Sequence, residues 1–229
     1  MTSRLRRALH QLIRRSGFDV VRYPLPFGAK RTRDSQGTLG DHLMNVFERA
    51  EIECVLDVGA HRGEYGRLLR EYGYDGHIVS FEPVAANAQI LREHARLDPN
   101  WTVMQYALGA TDEDDAPIHV STRSDLASFR SLSSYGQGLW PENALTHEVE
   151  RVEQRRLDNV LVGDLSDWRD HRLFLKIDTQ GWEGKVMTGA GAYLDRILGM
   201  QVEVSVKPVY DGMTRYLETL ALLETHGLE

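Results

Sequence analysis

The chain has 229 residues, 41% of them hydrophobic and 27% charged, the composition of an ordinary globular protein with one α/β domain and a buried core rather than two domains. A single cysteine, Cys54, excludes an internal disulfide framework and makes a reducing cytoplasm the expected compartment. No apolar run approaches the roughly 18 residues of a membrane-spanning helix, and the N-terminus lacks the apolar stretch of a signal peptide.

The formal charge of −7 conceals an asymmetry: residues 1 to 33 carry nine Lys or Arg against one acid, and the remainder balances to −15. Within RLRRALHQLIRR, Leu5, Leu9, Leu12 and Ile13 recur at helical spacing with arginines opposite. Such a helix suits an anionic membrane surface, and peripheral membrane contact is one reading of it. Its apolar face is narrow, so a solvated or domain-packed helix is the stronger expectation. PLPFGAKRTRDSQG (24 to 37) reads as a linker, which sets a basic arm over 1–37 apart from a domain over 38–229. No nucleic-acid partner is expected.

In chain order, a helical pattern covers 41–51 and a strand Cys54 to Val58; a helix at 62–72 precedes a strand at His77 to Phe81. A helix at 84–96 is followed by strands at Trp101 to Leu108, Ile118 to Ser121 and Val149 to Arg155. Then come a strand at Leu173 to Ile177, a helix at 183–195, a strand at Met200 to Val206 and a helix at 213–226. The alternation predicts a doubly wound, mostly parallel sheet covered on both faces. Ser124 to Glu148, rich in Ser and Gly with Phe129, Tyr135 and Trp140, interrupts it and reads as a mobile lid near the ligand side.

The stretch VLDVGAHRGEYG (55 to 66) ends a strand on Asp57 and turns through Gly59 and Gly63 into a helix. Its spacing is G-x-x-x-G-x-x-G, not the dinucleotide G-x-G-x-x-G, and a carboxylate there would repel a pyrophosphate. The same carboxylate suits a ligand with an α-ammonium and a sulfonium, as in S-adenosylmethionine. Glu82 ends the second strand, about 20 residues on, where an acid accepts ribose hydroxyls. Ribose is common to both ligands, so Glu82 supports nucleoside binding without choosing between them.

In order and spacing, VLDVGAHRG, FEP, YALG and LKIDTQGWE (175 to 183) resemble the FkbM family of S-adenosylmethionine-dependent methyltransferases, over about residues 38 to 226. The resemblance implies the class I methyltransferase (Rossmann-like) fold and transfer of a methyl group to a hydroxyl of a sugar, glycolipid or polyketide-type acceptor. By position it implies a cofactor pocket lined by Asp57, Gly59, Ala60, His61, Gly63, Glu82, Pro83, Ala107 and Leu108, with Asp178 facing the transferred methyl. His61 stands where many relatives have Asn, and its backbone is expected to matter more than its ring. The family fold closes with a further strand hairpin that has no counterpart before the chain stops at THGLE. The expectation is either a truncated form or an exposed sheet edge that favours self-association, as in a homodimer.

Methyl transfer to an alcohol needs a base or a metal that acidifies the oxygen. Asp178 at a strand end, Glu183 five residues on and Glu203 on the next strand are the catalytic candidates, with Lys176 and Lys207 within reach of the same crevice. The three acids could bind Mg²⁺, but a base with two salt bridges is preferred, because no His-rich or Asp-x-Asp spacing supports a metal. Glu183 is equally well explained as a first-turn acid favoured by the helix dipole. His119 and His147 are lesser candidates for the base. No H-E-x-x-H or G-x-S-x-G occurs, which disfavours a zinc hydrolase and an α/β-hydrolase. A nicotinamide-dependent oxidoreductase and a non-catalytic cofactor-binding module are the alternatives.

Overall fold

A computed structural model describes residues 39–121, 127–139 and 147–228. The chain divides into Met1–His42, almost all of which lies outside the described residues together with the expected basic helix and linker, and Leu43–Glu229, which carries the fold. The elements begin with α1 (Leu39–Arg49), β1 (Cys54–Val58), α2 (Glu64–Glu71), β2 (His77–Phe81), α3 (Ala85–Ala95) and β3 (Trp101–Met104). They continue with β4 (Ala107–Leu108), β5 (Glu113–Ser121), α4 (Ser134–Gln137), β6 (His147–Arg155) and α5 (Leu157–Val162). The last are β7 (Leu173–Ile177), α6 (Glu183–Ala190) with a 3₁₀ extension (Gly191–Arg196), β8 (Ile197–Val202) and α7 (Tyr216–Thr225).

Every residue of β1 and β7 is buried, which is why both read as unbroken apolar runs rather than alternating ones. They form the centre of a five-stranded parallel sheet in the order β3-β2-β1-β7-β8. The period of two sends Leu56 and Val58 to one face, with Leu175, Ile177, Leu157 and Val186. Val55 goes to the other, with Ile78, Leu69, Leu91, Trp101 and Phe174. Chain order reverses between β1 and β7, so their carboxyl ends, in register at Val58 and Ile177, flank the crevice where open α/β sheets bind ligands. No helix among the described residues is long and apolar enough to cross a membrane.

The sheet departs from the expected alternation in three places. The run Trp101 to Leu108 is two strands: β3 pairs with β2 as far as Met104, and β4 pairs with β6 in a second sheet, ordered β4-β6-β5. The acidic stretch at 112–115 hid the start of β5, which runs antiparallel to β6 across a register irregularity between Glu113 and Ala116. Its acids are matched across the ladder by Arg155, 2.8 Å from Asp114, and Arg151, 3.5 Å from Asp115. Finally, β8 starts and stops earlier than Met200 to Val206. After Ile177 accepts from the Glu203 N–H, β7 turns toward β1, where the Asp178 N–H donates to Val58, so residues beyond have no ladder partner and Val204 and Val206 are exposed.

Candidate functional site

A cavity of about 1040 Å³ opens at the carboxyl ends of β1, β2, β7 and β8. The turn that follows β1 forms its floor. Gly59 has φ +75° and its N–H donates to the Phe81 carbonyl, stitching β1 to β2. A Cβ at this position would lie 1.9 Å from the Asp178 carbonyl oxygen. Gly63, at φ +87°, starts α2, and a Cβ there would meet Leu91 Cδ1 at 2.7 Å. These glycines let neighbouring backbone and core side chains close up on one another, and Gly63 does not line the cavity. Gly59→Ala is expected to lose about 1–3 kcal/mol of stability, since it combines a left-handed backbone with a clash against main chain that cannot rotate away. Urea unfolding measures this; a variant as stable as wild type would show that the β1 and β7 ends can separate without cost.

Asp57 does not reach the cavity. It is fully buried, accepts from Ser80 Oγ at 3.2 Å, and pairs with Lys176 Nζ at 3.0 Å. The cavity wall at this point is Lys176 itself, which also donates to the Gly59 carbonyl at 3.0 Å and lies over the Tyr65 ring. Burial opposes its charged form, but Asp57 and then Asp178 outweigh that, and its pKa is raised above the ordinary lysine value. The expectation that Asp57 meets the ligand is corrected: one turn of pleat places its carboxylate inside the sheet, and Lys176 on the adjacent strand neutralises it.

Of the other residues assigned to the nucleoside pocket, Gly59, Ala60, His61, Glu82, Pro83, Ala107 and Leu108 all line the cavity. Glu82 is 5% exposed, and its two oxygens accept one backbone N–H each, from Val84 and His61, both at 2.9 Å. Burial pushes its carboxyl up to about 7 against the pull of those N–H bonds. The Asn87 side chain bonds the same carboxyl, whose two oxygens still have acceptor capacity for a further donor. His61 adopts φ +50°, which turns its N–H onto Glu82, so its backbone is what the site uses directly.

The opposite wall is built around the turn that follows β7. Gln180, at φ +53°, donates from Nε2 to Asp178 Oδ1 at 2.9 Å and to Glu203 Oε2 at 3.1 Å. Its Oε1 accepts from Tyr210 Oη at 2.9 Å, and its carbonyl accepts from Ser128 Oγ at 2.6 Å. The Glu203 carboxyl is pushed up to about 7, first by burial and then by the Asp178 carboxylate beside it. Glu183 is buried and directed into its own turn: Oε1 accepts from the Thr179 and Gly181 N–H groups, each at 3.0 Å. It thereby caps the turn that presents Asp178, and burial raises its pKa despite those bonds. Among the described residues no group of three or more His, Cys, Asp or Glu is arranged to hold a metal ion.

The segment read as a lid is, over residues 127–139, pinned rather than loose. Ser128 bridges to His119, Arg130 donates from Nε to the Gly181 carbonyl at 2.9 Å, and Leu132 bridges to Tyr210. Phe129 lies against Trp182, with ring centroids 5.1 Å apart. Of the rest of that segment, residues 124–126 and 140–146, Trp140 included, lie outside the described residues, and 147–148 begin β6. His119 sits within β5 and does not line the cavity; the His147 side chain is not among those described. Lys207 stands over the exposed Tyr135 ring, away from the cavity lining.

Gln180, Tyr210 and the Tyr65–Gln201 pair, joined at 3.1 Å, were not singled out in the sequence. Gln180 had a local signal, a polar residue before Gly181 in the turn between two acids; Tyr210 had none, because its contact spans 30 residues of chain. No curated protein gives a significant match to the chain. The model of the methyltransferase FkbM domain matches residues 57–228, well over half of the chain, and with the sheet and crevice just described the protein belongs to that family of methyltransferases.

Proposed function

We propose that this methyltransferase takes its methyl group from S-adenosylmethionine and delivers it to a hydroxyl of an uncharged acceptor with an apolar face, such as a sugar, glycolipid or polyketide-type molecule. The observation that supports a nucleoside here is Glu82, buried yet lining the cavity, with acceptor capacity beyond its bonds to His61, Val84 and Asn87 for ribose hydroxyls, and the one that chooses S-adenosylmethionine is the charge of the lining. Phe81, Ala107, Leu108 and Ile118 line the cavity beside it, a setting for a purine. Among the described lining residues Lys176 is the sole lysine or arginine, and it is already paired with Asp57. A pyrophosphate would lack a counter-charge there, whereas a sulfonium would not need one.

When bound, S-adenosylmethionine supplies an electrophilic methyl: the acceptor oxygen bonds to the methyl carbon, and the carbon–sulfur electron pair stays on sulfur. The chain's own part is to orient the acceptor and take its proton. All three acids line the cavity, and Asp178 is the group that supports that role, because its side chain is 41% exposed whereas Glu183 is buried with one oxygen bonded to its own turn. Phe129, Trp182, Tyr210, Val209 and Met213 offer the acceptor an apolar wall.

Calorimetry with S-adenosylhomocysteine, with NAD as the control, tests the reading. Glu82→Ala should weaken binding by about 1.5–3 kcal/mol, the range for hydrogen bonds to a charged group. The pH dependence carries a sign. Hydroxyls donate to the ionised carboxylate, so binding expels the proton that Glu82 holds below about 7. Wild-type affinity should therefore fall as pH drops through 7, by up to about tenfold per unit, and stay level above it. The variant should show no such dependence. Tighter binding of NAD, or a pH-independent wild type, would overturn the assignment.

A further inference from the structure

Two carboxyl groups face each other at the acceptor end of the cavity, and the methyl-transfer reading, on which this inference rests, gives work to only one of them. Gln180 joins them. It is a non-glycine residue with φ +53°, a conformation that ordinary side chains avoid and that surrounding contacts must hold in place. Those contacts come from four directions: Asp178 at the end of β7, Glu203 after β8, Tyr210 from the segment before α7, and Ser128 from beyond β5.

The partners fix the orientation of the amide. A carboxylate only accepts, so the side facing Asp178 and Glu203 must be the NH₂ group, and the phenol of Tyr210 then donates to the amide oxygen. Both N–H groups of Gln180 are committed, one to Asp178 Oδ1 and one to Glu203 Oε2, so neither of those oxygens can carry a proton on that side. A proton shared by the pair is left with Asp178 Oδ2 or Glu203 Oε1. Lys176 Nζ stands 3.8 Å from Asp178 Oδ2 and repels a proton there. No lysine or arginine is ion-paired with Glu203 among the described residues. The other charged groups acting on Glu203 are Glu183 on α6, whose bonds run to its own turn and which disfavours the Glu203 anion, and Lys176, which favours that anion but less than burial and Asp178 oppose it.

We propose that Gln180 is a positioning residue that clamps the two acids side by side, so that the nearby Lys176 ammonium can divide their labour: Asp178, next to it, is the anion that receives the acceptor's proton, and Glu203 is the member that holds a proton. Glu203 then has an O–H that hydrogen-bonds Asp178 in the ligand-free site and can turn to the acceptor when it binds, which fixes the attacking hydroxyl without adding a second negative charge. The direction in which the Glu203 carboxyl is shifted agrees with this.

The test uses the full chain and the variants Gln180→Leu, which removes both donors at similar bulk, and Tyr210→Phe, which frees the amide oxygen without touching either acid. The first readout is the ¹³C titration of assigned Asp and Glu side-chain carboxyls in the ligand-free protein. In wild type, Glu203 should titrate near neutral pH. In Gln180→Leu both ionised forms lose a donor, so the Glu203 titration should move to higher pH; Tyr210→Phe should move it the same way by less. The second readout is kcat and KM across pH with S-adenosylmethionine and an acceptor. Gln180→Leu should lower kcat at neutral pH by about 10–100-fold. It should leave the cofactor KM within about threefold and shift the acid limb of the profile upward. If Asp178 holds the proton, or if folded Gln180→Leu and Tyr210→Phe titrate as wild type does, the division of labour is overturned. A wild type without turnover on S-adenosylmethionine would instead refute the methyl-transfer reading, and the carboxyl titrations would still decide the role of Gln180.

Discussion

Asp178→Asn should reduce turnover by about 10²–10⁴-fold, the contribution of a positioned general base, while cofactor affinity stays within a few fold. The separation follows from the layout of the cavity. Asp178 lies at the end of β7, across from the Glu82 side where the nucleoside is proposed to bind, and it makes no contact with Glu82. Asparagine keeps the size and still offers an oxygen to Gln180 Nε2, so the turn from 178 to 183 should hold its shape. What it loses is the lone pair that receives the acceptor's proton. The substitution also removes the negative charge beside Glu203, so the Glu203 carboxyl should fall back from about 7 toward the usual carboxylate range, though burial keeps it from returning fully. Single-turnover assays and a ¹³C titration of the variant measure the two effects. Near-normal turnover would remove Asp178 from the chemistry and leave Glu203 as the base.

The parallel sheet was legible in the sequence because burial on both faces forces continuous apolar runs, and β1, β2 and β7 were bounded correctly at both ends. The second sheet was legible only in part: its strands were expected at Ile118 to Ser121 and Val149 to Arg155, but the start of β5 was missed because it opens on three acids, Glu113 to Asp115, whose arginine partners on β6 lie 36 and 41 residues away in sequence. The site divides in the same way. Glu82 and Asp178 were readable as residues that follow strand ends on the ligand side, since topology alone brings such positions together, and Ala107 was found there although it opens β4 rather than ending β3. Asp57 lies near a strand end equally well, yet the alternation along β1 turns it inward, and the burial is tolerated because Lys176 on β7 pairs with it, a partner that local sequence does not reveal. Glu183 was left between two roles by sequence, and the N–H bonds it accepts in its own turn support the structural one. Gln180 carries the largest number of contacts at the acceptor end, all but the one to Asp178 made to residues distant in the chain, which no local pattern reveals.

Lys176→Met should cost about 3–5 kcal/mol of stability, the penalty for removing one partner of a buried ion pair and leaving the other charge in place. The Asp57 side chain is 0% exposed and that of Lys176 8%, so neither charge has water to fall back on. Among the described residues Ser80 Oγ is the one other donor to Asp57, at 3.2 Å, and a hydroxyl cannot replace an ammonium at 3.0 Å. The pH dependence follows from counting protons. Without its cation the folded chain relieves the buried carboxylate by taking up a proton that the unfolded chain, an ordinary aspartate, does not hold near neutral pH. The folded state then binds more protons than the unfolded one, so the stability deficit should shrink as the pH is lowered. Adding Asp57→Asn to Lys176→Met removes the charge but keeps an acceptor for Ser80, so the double variant should recover the larger part of the loss. Denaturant unfolding of the two single variants and the double at neutral and acid pH completes the cycle. A Lys176→Met protein as stable as wild type, with no gain from Asp57→Asn, would mean that water reaches Asp57 and that the pair is not buried.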